Sequence, residues 1–331
     1  MTAPLLKVEN LHTRFRSEDG TLDAVRDVSF SLAPGETLGL VGESGSGKSV
    51  TGFSIMGLID PPGEIAGGRI MFRDRDLTQL PAEEMRRLRG NRIAMVFQDP
   101  MMTLNPVLMV GTQMIEAIQA HERVGKAAAR ARARDALGAM GIPSPEARLD
   151  AYPHQMSGGM RQRVAIATAL LNHPDLIIAD EPTTALDVSI QAQILAEVQE
   201  LTRKRGMALI WITHDLSVIA GIADSIAVMY AGRIVEQGDV DAVLDRTRHP
   251  YTAGLIGSLP GSAAPGSMLT QIQGTTPSLL NPPQGCAFHP RCARMTPECL
   301  RQPAPEAGAD HHMVRCFNPL TGDPSQPETA A

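Results

Sequence analysis

Aromatic residues are scarce in this chain, at 3% of 331 residues with a single Trp. Surfaces that stack nucleobases need several, so the composition argues against a single-stranded nucleic-acid binder. There is no surplus of positive charge either. A formal net charge of -6 and a pI near 5.9 leave no global field to gather nucleic acid. No apolar run reaches the roughly 18 residues that span a bilayer. Residues 1–10 lack the basic region and long apolar core of a signal peptide. The expected location is the cytoplasm, where structural disulfides are not expected. The four cysteines therefore call for other chemistry.

What the chain does contain is a phosphate loop. Gly42-Glu43-Ser44-Gly45-Ser46-Gly47-Lys48-Ser49 fits G-x-x-x-x-G-K-[ST]. It follows the apolar run 36–41, which reads as a strand, and precedes residues 50–58, from Val50 onward, which suit a helix. In such a cradle the glycines let backbone amides converge on an anion. Lys48 supplies a point charge for the outer phosphates, and the Ser49 hydroxyl can ligate Mg²⁺. At the average protein usage of about 7% Gly, the pattern arises by chance in about one chain of this length in a hundred. The chain is expected to bind a nucleoside triphosphate.

The surrounding pattern is α/β. Residues 5–15 and 22–32 read as strands joined by a polar turn, and 68–72 and 92–98 as further strands around a basic helix at 82–89. From about 100 to 155 only helical segments are evident, 110–120 and 126–140, which predicts a helical insertion. A helix over 157–172 leads to a strand over 176–179, and strand-helix alternation resumes through 190–203, 208–213 and 225–230. After about 259 the chain turns rich in Pro and Gly. The basic cluster Arg123, Lys126, Arg130, Arg132, Arg134 reads as the solvated face of an Ala-rich helix. The apolar run 176–179 ends in Asp180-Glu181, where a phosphate-loop enzyme keeps its second element. There Asp180 can hold Mg²⁺ through water and Glu181 can polarise the attacking water. Ser157-Gly158-Gly159 falls at a helix start, where free amides and the positive dipole end face an anion.

The ordered set of phosphate loop, Phe97-Gln98-Asp99-Pro100, Ser157-Gly158-Gly159, Asp180-Glu181-Pro182, Ala185-Leu186-Asp187 and His214 resembles the ATP-binding cassette family over essentially residues 5–260. The resemblance implies a P-loop NTPase core with an N-terminal antiparallel β-subdomain, a helical subdomain at about 100–172 and a cassette domain over 1–259. It further implies that Phe15 stacks on adenine and that Gly42 to Val50 hold the phosphates. Ser49, Gln98 and Asp180 would serve Mg²⁺, Gln98 also sensing the γ-phosphate. Glu181 would be the general base, His214 would hold the γ-phosphate and attacking water, and Asp187 would lie in the loop facing the partner cassette. The signature departs from the common Leu-Ser-Gly-Gly-Gln by carrying Met156 and Met160 at its ends. In this family Ser157, Gly158, Gly159 and Met160 act on the nucleotide of a partner cassette, so hydrolysis would need a dimer.

Narrower features, including Leu104-Asn105-Pro106, Tyr152-Pro153-His154 and His249-Pro250-Tyr251-Thr252, resemble ATP-binding subunits of dipeptide and oligopeptide importers. That resemblance implies two membrane permeases, a second ATP-binding cassette subunit, an external solute-binding protein and no nucleic acid. It implies a peripheral position on the cytoplasmic face of the inner membrane, and a docking groove for a permease helix at Met101, Met102, Met109 and Met114. Nickel, glutathione or another small solute stays open as cargo. A soluble cassette ATPase acting on nucleic acid or ribosomes is the alternative of a different class. The extension 260–331 carries Cys286, Cys292, Cys299 and Cys316 spaced C-x5-C-x6-C-x16-C, wider than zinc knuckles. Some relatives hold a [4Fe–4S] cluster there, and an all-thiolate set suits one. Zinc, or no metal, remains the alternative.

Overall fold

Residues 3–183, 188–259, 271–308 and 311–321 are described by the computed structural model, and they fall into two units. The first comprises Met1–Leu5, Ala33–Glu36 and Gln79–Trp211; the second comprises Leu6–Leu32, Thr37–Thr78 and Ile212–Ala331.

In the first unit, strands Ile93–Val96 and Leu176–Asp180 run parallel, with Ile93 opposite Leu176 and Val96 opposite Ala179. Every residue of both is buried, as parallel strands covered on both faces require. The Ala208 N–H donates to Asp175 O at 2.9 Å and starts strand Ala208–Thr213 alongside. No strand occurs among the described residues between 100 and 155. Helices Val110–Gln119, Lys126–Ala139, Pro145–Leu149 and Gly158–Leu170 pack on one another there. Ala129, Ala133 and Leu137, spaced at i and i+4, bury one face of the Lys126–Ala139 helix.

The arginines of that helix are paired with carboxylates. Arg130 bridges Glu146 and Asp150 at 2.8 Å each, Arg132 binds Glu122 at 2.8 Å, and Arg134 binds Asp135 at 2.7 Å. The basic run in the sequence is thus locally neutralised. Arg163, almost fully buried, anchors the Gly158–Leu170 helix through Glu197 at 2.8 Å and the Met140 carbonyl at 2.6 Å. The methionines singled out as a groove separate. Met114 is a core residue, whereas Met101 and Met109 are exposed beside Val107.

The second unit holds an antiparallel sheet in the order Gly20–Leu32, Leu6–Ser17, Gly63–Phe72, Arg75–Asp76. It also holds a parallel pair, Thr37–Val41 with Ser225–Tyr230. Strand Arg233–Asp239 joins this pair antiparallel, and Met313–Val314 and Glu306–Ala307 follow it in turn. The C-terminal segment, loop-rich as expected, therefore extends a sheet. Glu236, without solvent exposure, secures the join. It accepts from the N–H groups of Arg248 (2.6 Å) and His249 (3.0 Å) and pairs with His312 Nε2 (2.8 Å). Among the described residues no helix is long and apolar enough to cross a membrane.

Candidate functional site

The phosphate loop leaves the buried strand Thr37–Val41 and enters helix Lys48–Met56. Two glycines are obligatory for steric reasons. A Cβ on Gly42 would lie 2.2 Å from the Met229 carbonyl oxygen, and one on Gly47, at φ +101°, would lie 2.4 Å from the Ala24 carbonyl oxygen. Gly47 stands at the N-cap of the helix and, lacking a side chain, leaves its first turn without a side-chain cap. Lys48 is only 5% exposed and folds back over the loop, donating to Gly42 O at 2.7 Å and Glu43 O at 2.9 Å. Ser46 O accepts from Gly232 N at 2.9 Å. Ser44 and Gly45 are exposed at the crown, and Ser49 and Val50 are half-buried in the first turn of the helix.

In the same unit Phe15 sits half-buried on Leu6–Ser17, opposite Leu22 and Gly63, with its ring lying over Gly63. His214 is exposed just past strand Ala208–Thr213. The following turn is fixed by Asp215, which accepts from Ser217 N at 2.9 Å.

The first unit carries the carboxylates. Parallel register sets Val96 beside Ala179, so Gln98 and Glu181 each lie two residues beyond that rung. There Gln98 Nε2 donates to Glu181 Oε2 at 3.3 Å. Asp180 is 3% exposed at the strand end, and Glu181 adopts φ +45°, a conformation that costs a non-glycine residue about 1–3 kcal/mol. Strain of this kind fixes a side chain pointing out of a strand end. The signature forms the start of helix Gly158–Leu170, with Ser157 Oγ accepting from Met160 N at 3.3 Å. Ser157 and Gly158 are exposed, Gly159 and Met160 half-buried, and Met156 is packed inside. Asp187 lies outside the described residues.

The four cysteines are unpaired by disulfides and line one pocket together with His249, Phe288 and Asn318. Burial pushes the thiols of Cys286 and Cys292 up and that of Cys316 to about 11. Yet no group of three or more His, Cys, Asp or Glu among the described residues is arranged to hold a metal ion. The thiols share a pocket without closing around a single ion. Its lining contains no carboxylate, and the side-chain donors it offers are sulfur, imidazole and the Asn318 amide oxygen.

His249 closes the inner wall. Its Nδ1 accepts from Tyr251 N at 3.0 Å, and burial lowers its pKa to about 4. The folded protein keeps this ring neutral where an unfolded chain, with a pKa near 6.5, takes up a proton. Stability is therefore full above about pH 6.5, declines as pH falls toward 4 and loses nothing more from this group below that, about 3 kcal/mol in all. Urea midpoints across that range should fall less steeply for His249→Gln than for the natural chain. Parallel profiles would remove His249 as the cause.

Sequence reading passed over one set of contacts around the loop. Arg291 forks onto Glu43, Nη1 to Oε2 at 2.7 Å and Nη2 to Oε1 at 3.0 Å, and Thr276 Oγ1 donates to Oε2 at 2.9 Å. Burial pushes the Glu43 carboxyl up, but Arg291 and Thr276 outweigh it and hold the pKa below the usual range. The Glu43 N–H donates to Tyr251 Oη at 2.9 Å. Tyr251 stands in the His249-Pro250-Tyr251-Thr252 run and Arg291 directly precedes Cys292, but nothing in the sequence says what they touch.

Residues 25–184 match the ABC transporter family, and residues 235–299 match the oligopeptide/dipeptide transporter C-terminal region. The dipeptide transport ATP-binding protein DppD of Bacillus subtilis (strain 168) is 51% identical over 95% of this chain and 94% of its own length. The chain belongs to the ABC transporter ATP-binding subunits of the dipeptide/oligopeptide importer family. The oligopeptide transport ATP-binding protein OppD of the same organism is 50% identical over 95% of this chain and 88% of its own. Among solved structures, the post-hydrolysis dimer of the ATP-binding cassette MJ0796 bound to ADP and Pi aligns with a TM-score of 0.64 at 27% identity. It covers 71% of this chain and 98% of that one. As a member of this family the chain is a P-loop ATPase.

Proposed function

We propose that this chain is the ATP-hydrolysing, energy-coupling subunit of an importer for di- and oligopeptides. The observation that carries this reading is identity near one half, across nearly the whole length, to subunits named for dipeptide and oligopeptide transport. Its partners are two membrane permeases, a second ATP-binding cassette and a solute-binding protein. It sits peripherally on the cytoplasmic face of the membrane. The exposed residues Met101, Val107 and Met109 offer apolar surface to a permease.

Gly42 to Ser49 bind the phosphates, with Lys48 as the point charge, and Phe15 stacks on the base. Ser49, Gln98 and, through water, Asp180 would serve Mg²⁺ with hydroxyl, amide and carboxylate oxygens, and the ion, when bound, neutralises charge on the phosphates. Glu181 takes the proton of the attacking water, with Gln98 orienting its carboxylate. His214 holds the γ-phosphate side. Ser157 to Met160 present an exposed helix start to a partner's nucleotide, and Asp187 faces that partner.

The domain reading is a cassette over 1–259 with an extension over 260–331 that holds a [4Fe–4S] cluster. Cys286, Cys292, Cys299 and Cys316 would be its ligands. The support for this reading is that the four thiols line one pocket, an all-thiolate donor set of the kind such clusters use. When bound, such a cluster cross-links a segment with little apolar content of its own.

One preparation tests both readings. The transporter assembled with its permeases and binding protein in vesicles should hydrolyse ATP faster when dipeptide is supplied. Anaerobically purified protein should carry about four iron and four sulfide per chain. Stimulation by nickel or glutathione but not by peptide sinks the cargo assignment, and a colourless zinc-loaded sample sinks the cluster.

A further inference from the structure

Position 43 is the first variable site of the phosphate loop, and binding phosphate does not demand a carboxylate there. Glu43 is nonetheless held at every polar group. Its carboxylate takes both prongs of Arg291 and the Thr276 hydroxyl, its N–H goes to Tyr251, and its carbonyl receives Lys48. Arg291 is itself constrained. Its Nε donates to Gln273 O at 2.9 Å, its Nη1 lies 3.3 Å from Tyr230 Oη, and its side chain is 6% exposed.

We propose that Arg291 is a positioning residue for nucleotide binding, acting through Glu43. A buried ion pair can be mere filling and is weak evidence for stability. This one differs because its acceptor is part of the loop, and the same residue's carbonyl grips Lys48. Fixing the Glu43 side chain fixes the peptide plane that aims that carbonyl. The loop thereby keeps its phosphate-ready shape before ATP arrives, and less ordering is left for the ligand to drive.

The constraint originates in the C-terminal segment. Arg291 precedes Cys292, and Phe288 lines the cysteine pocket while its ring meets Tyr230 edge-on at 5.3 Å. Tyr230 in turn packs on Tyr251 at 4.5 Å between ring centres. The segment that carries the four thiols thus braces the loop at one residue. ATP affinity of this chain depends on that segment being folded.

The inference rests on residues 42–49 being the ATP site, and the test separates the two ideas. ATP binding to the full chain with Mg²⁺ is measured by calorimetry, and KM and kcat are measured in the assembled transporter. Arg291→Ala should weaken ATP binding and raise KM about tenfold, while kcat stays within about twofold, because a lost charged fork removes pre-organisation and leaves the chemistry intact. Arg291→Lys, which keeps charge without the fork, should recover only part of this.

Arg291→Ala combined with Glu43→Gln should bind no more weakly than the weaker single variant, since both remove one contact. ATP affinity for Arg291→Ala within about twofold of the natural chain overturns the proposal, as do losses that multiply in the double variant. If Arg291→Ala does not fold, Arg291→Lys and Glu43→Gln decide, and unchanged ATP affinity in both overturns it. Normal ATP binding by Lys48→Ala would instead overturn the loop assignment.

Discussion

Glu181→Gln should leave a protein that binds ATP with ordinary affinity yet hydrolyses it at least a hundredfold more slowly, since a positioned general base contributes about 10²–10⁴ in rate. The substitution is nearly isosteric, so the turn at φ +45° and the strand end that imposes it are retained. A hydrogen bond between the new amide and Gln98 can form in place of the contact seen at 3.3 Å. Only the capacity to accept a proton is lost. The assay is steady-state phosphate release by the assembled transporter beside equilibrium ATP binding by the same sample. A drop in kcat with unchanged KM identifies an interaction made only in the transition state. A kcat within about threefold of the natural protein would mean that the base lies elsewhere.

Lys48→Ala should act one step earlier, on binding. The ammonium is buried and ties the Gly42 and Glu43 carbonyls across the loop. Phosphate oxygens are charged acceptors, and each bond to them is stronger than one to a neutral carbonyl. Two charge-assisted bonds at about 1.5–3 kcal/mol each correspond to roughly a hundredfold loss of ATP affinity or more. The loop also loses its internal tie, so exchange of the amides in 42–49 should quicken in the variant without ATP. Calorimetry with Mg-ATP measures the first effect and hydrogen exchange the second. Near-normal affinity would exclude Lys48 as a phosphate ligand. Lys48→Ala and Glu181→Gln thus fail differently, one at capture and one at chemistry.

Much of this site was legible because its chemistry is carried by contiguous residues. A loop of glycines ending in Lys48-Ser49 has few ways to fold between a buried strand and a helix. Steric contact at Gly42 and Gly47 shows why those positions tolerate nothing larger. Strands ending in acidic or amide groups were equally visible, since apolar runs such as 176–179 bury on both faces. Boundaries moved by a few residues: the strand expected over 68–72 begins at Gly63, and the helix expected over 50–58 spans Lys48–Met56. Periodicity fades at element ends, where capping decides.

The strand Arg233–Asp239 and the two-residue strands Glu306–Ala307 and Met313–Val314 left no comparable trace. Pairs that short are set by backbone hydrogen bonds to a neighbour already in place, and they need no alternation of side chains. Arg130 and Arg132 illustrate the same limit. A run of like charge could be recognised, but Glu122, Glu146 and Asp150, which neutralise it, come from other elements. Met114 and Met109 are alike in composition, yet one is core and the other surface.

The sequence by itself determined the family and the ATPase activity that goes with it, and it named the candidate residues, because each depends on short runs whose spacing physics constrains. Tertiary structure alone decided which distant groups meet. It brought Gln98 to Glu181 through strand register, turned four separated cysteines into one pocket, and set Arg291 against Glu43. Long-range contacts follow from how surfaces pack in three dimensions, and no local propensity encodes a partner far along the chain.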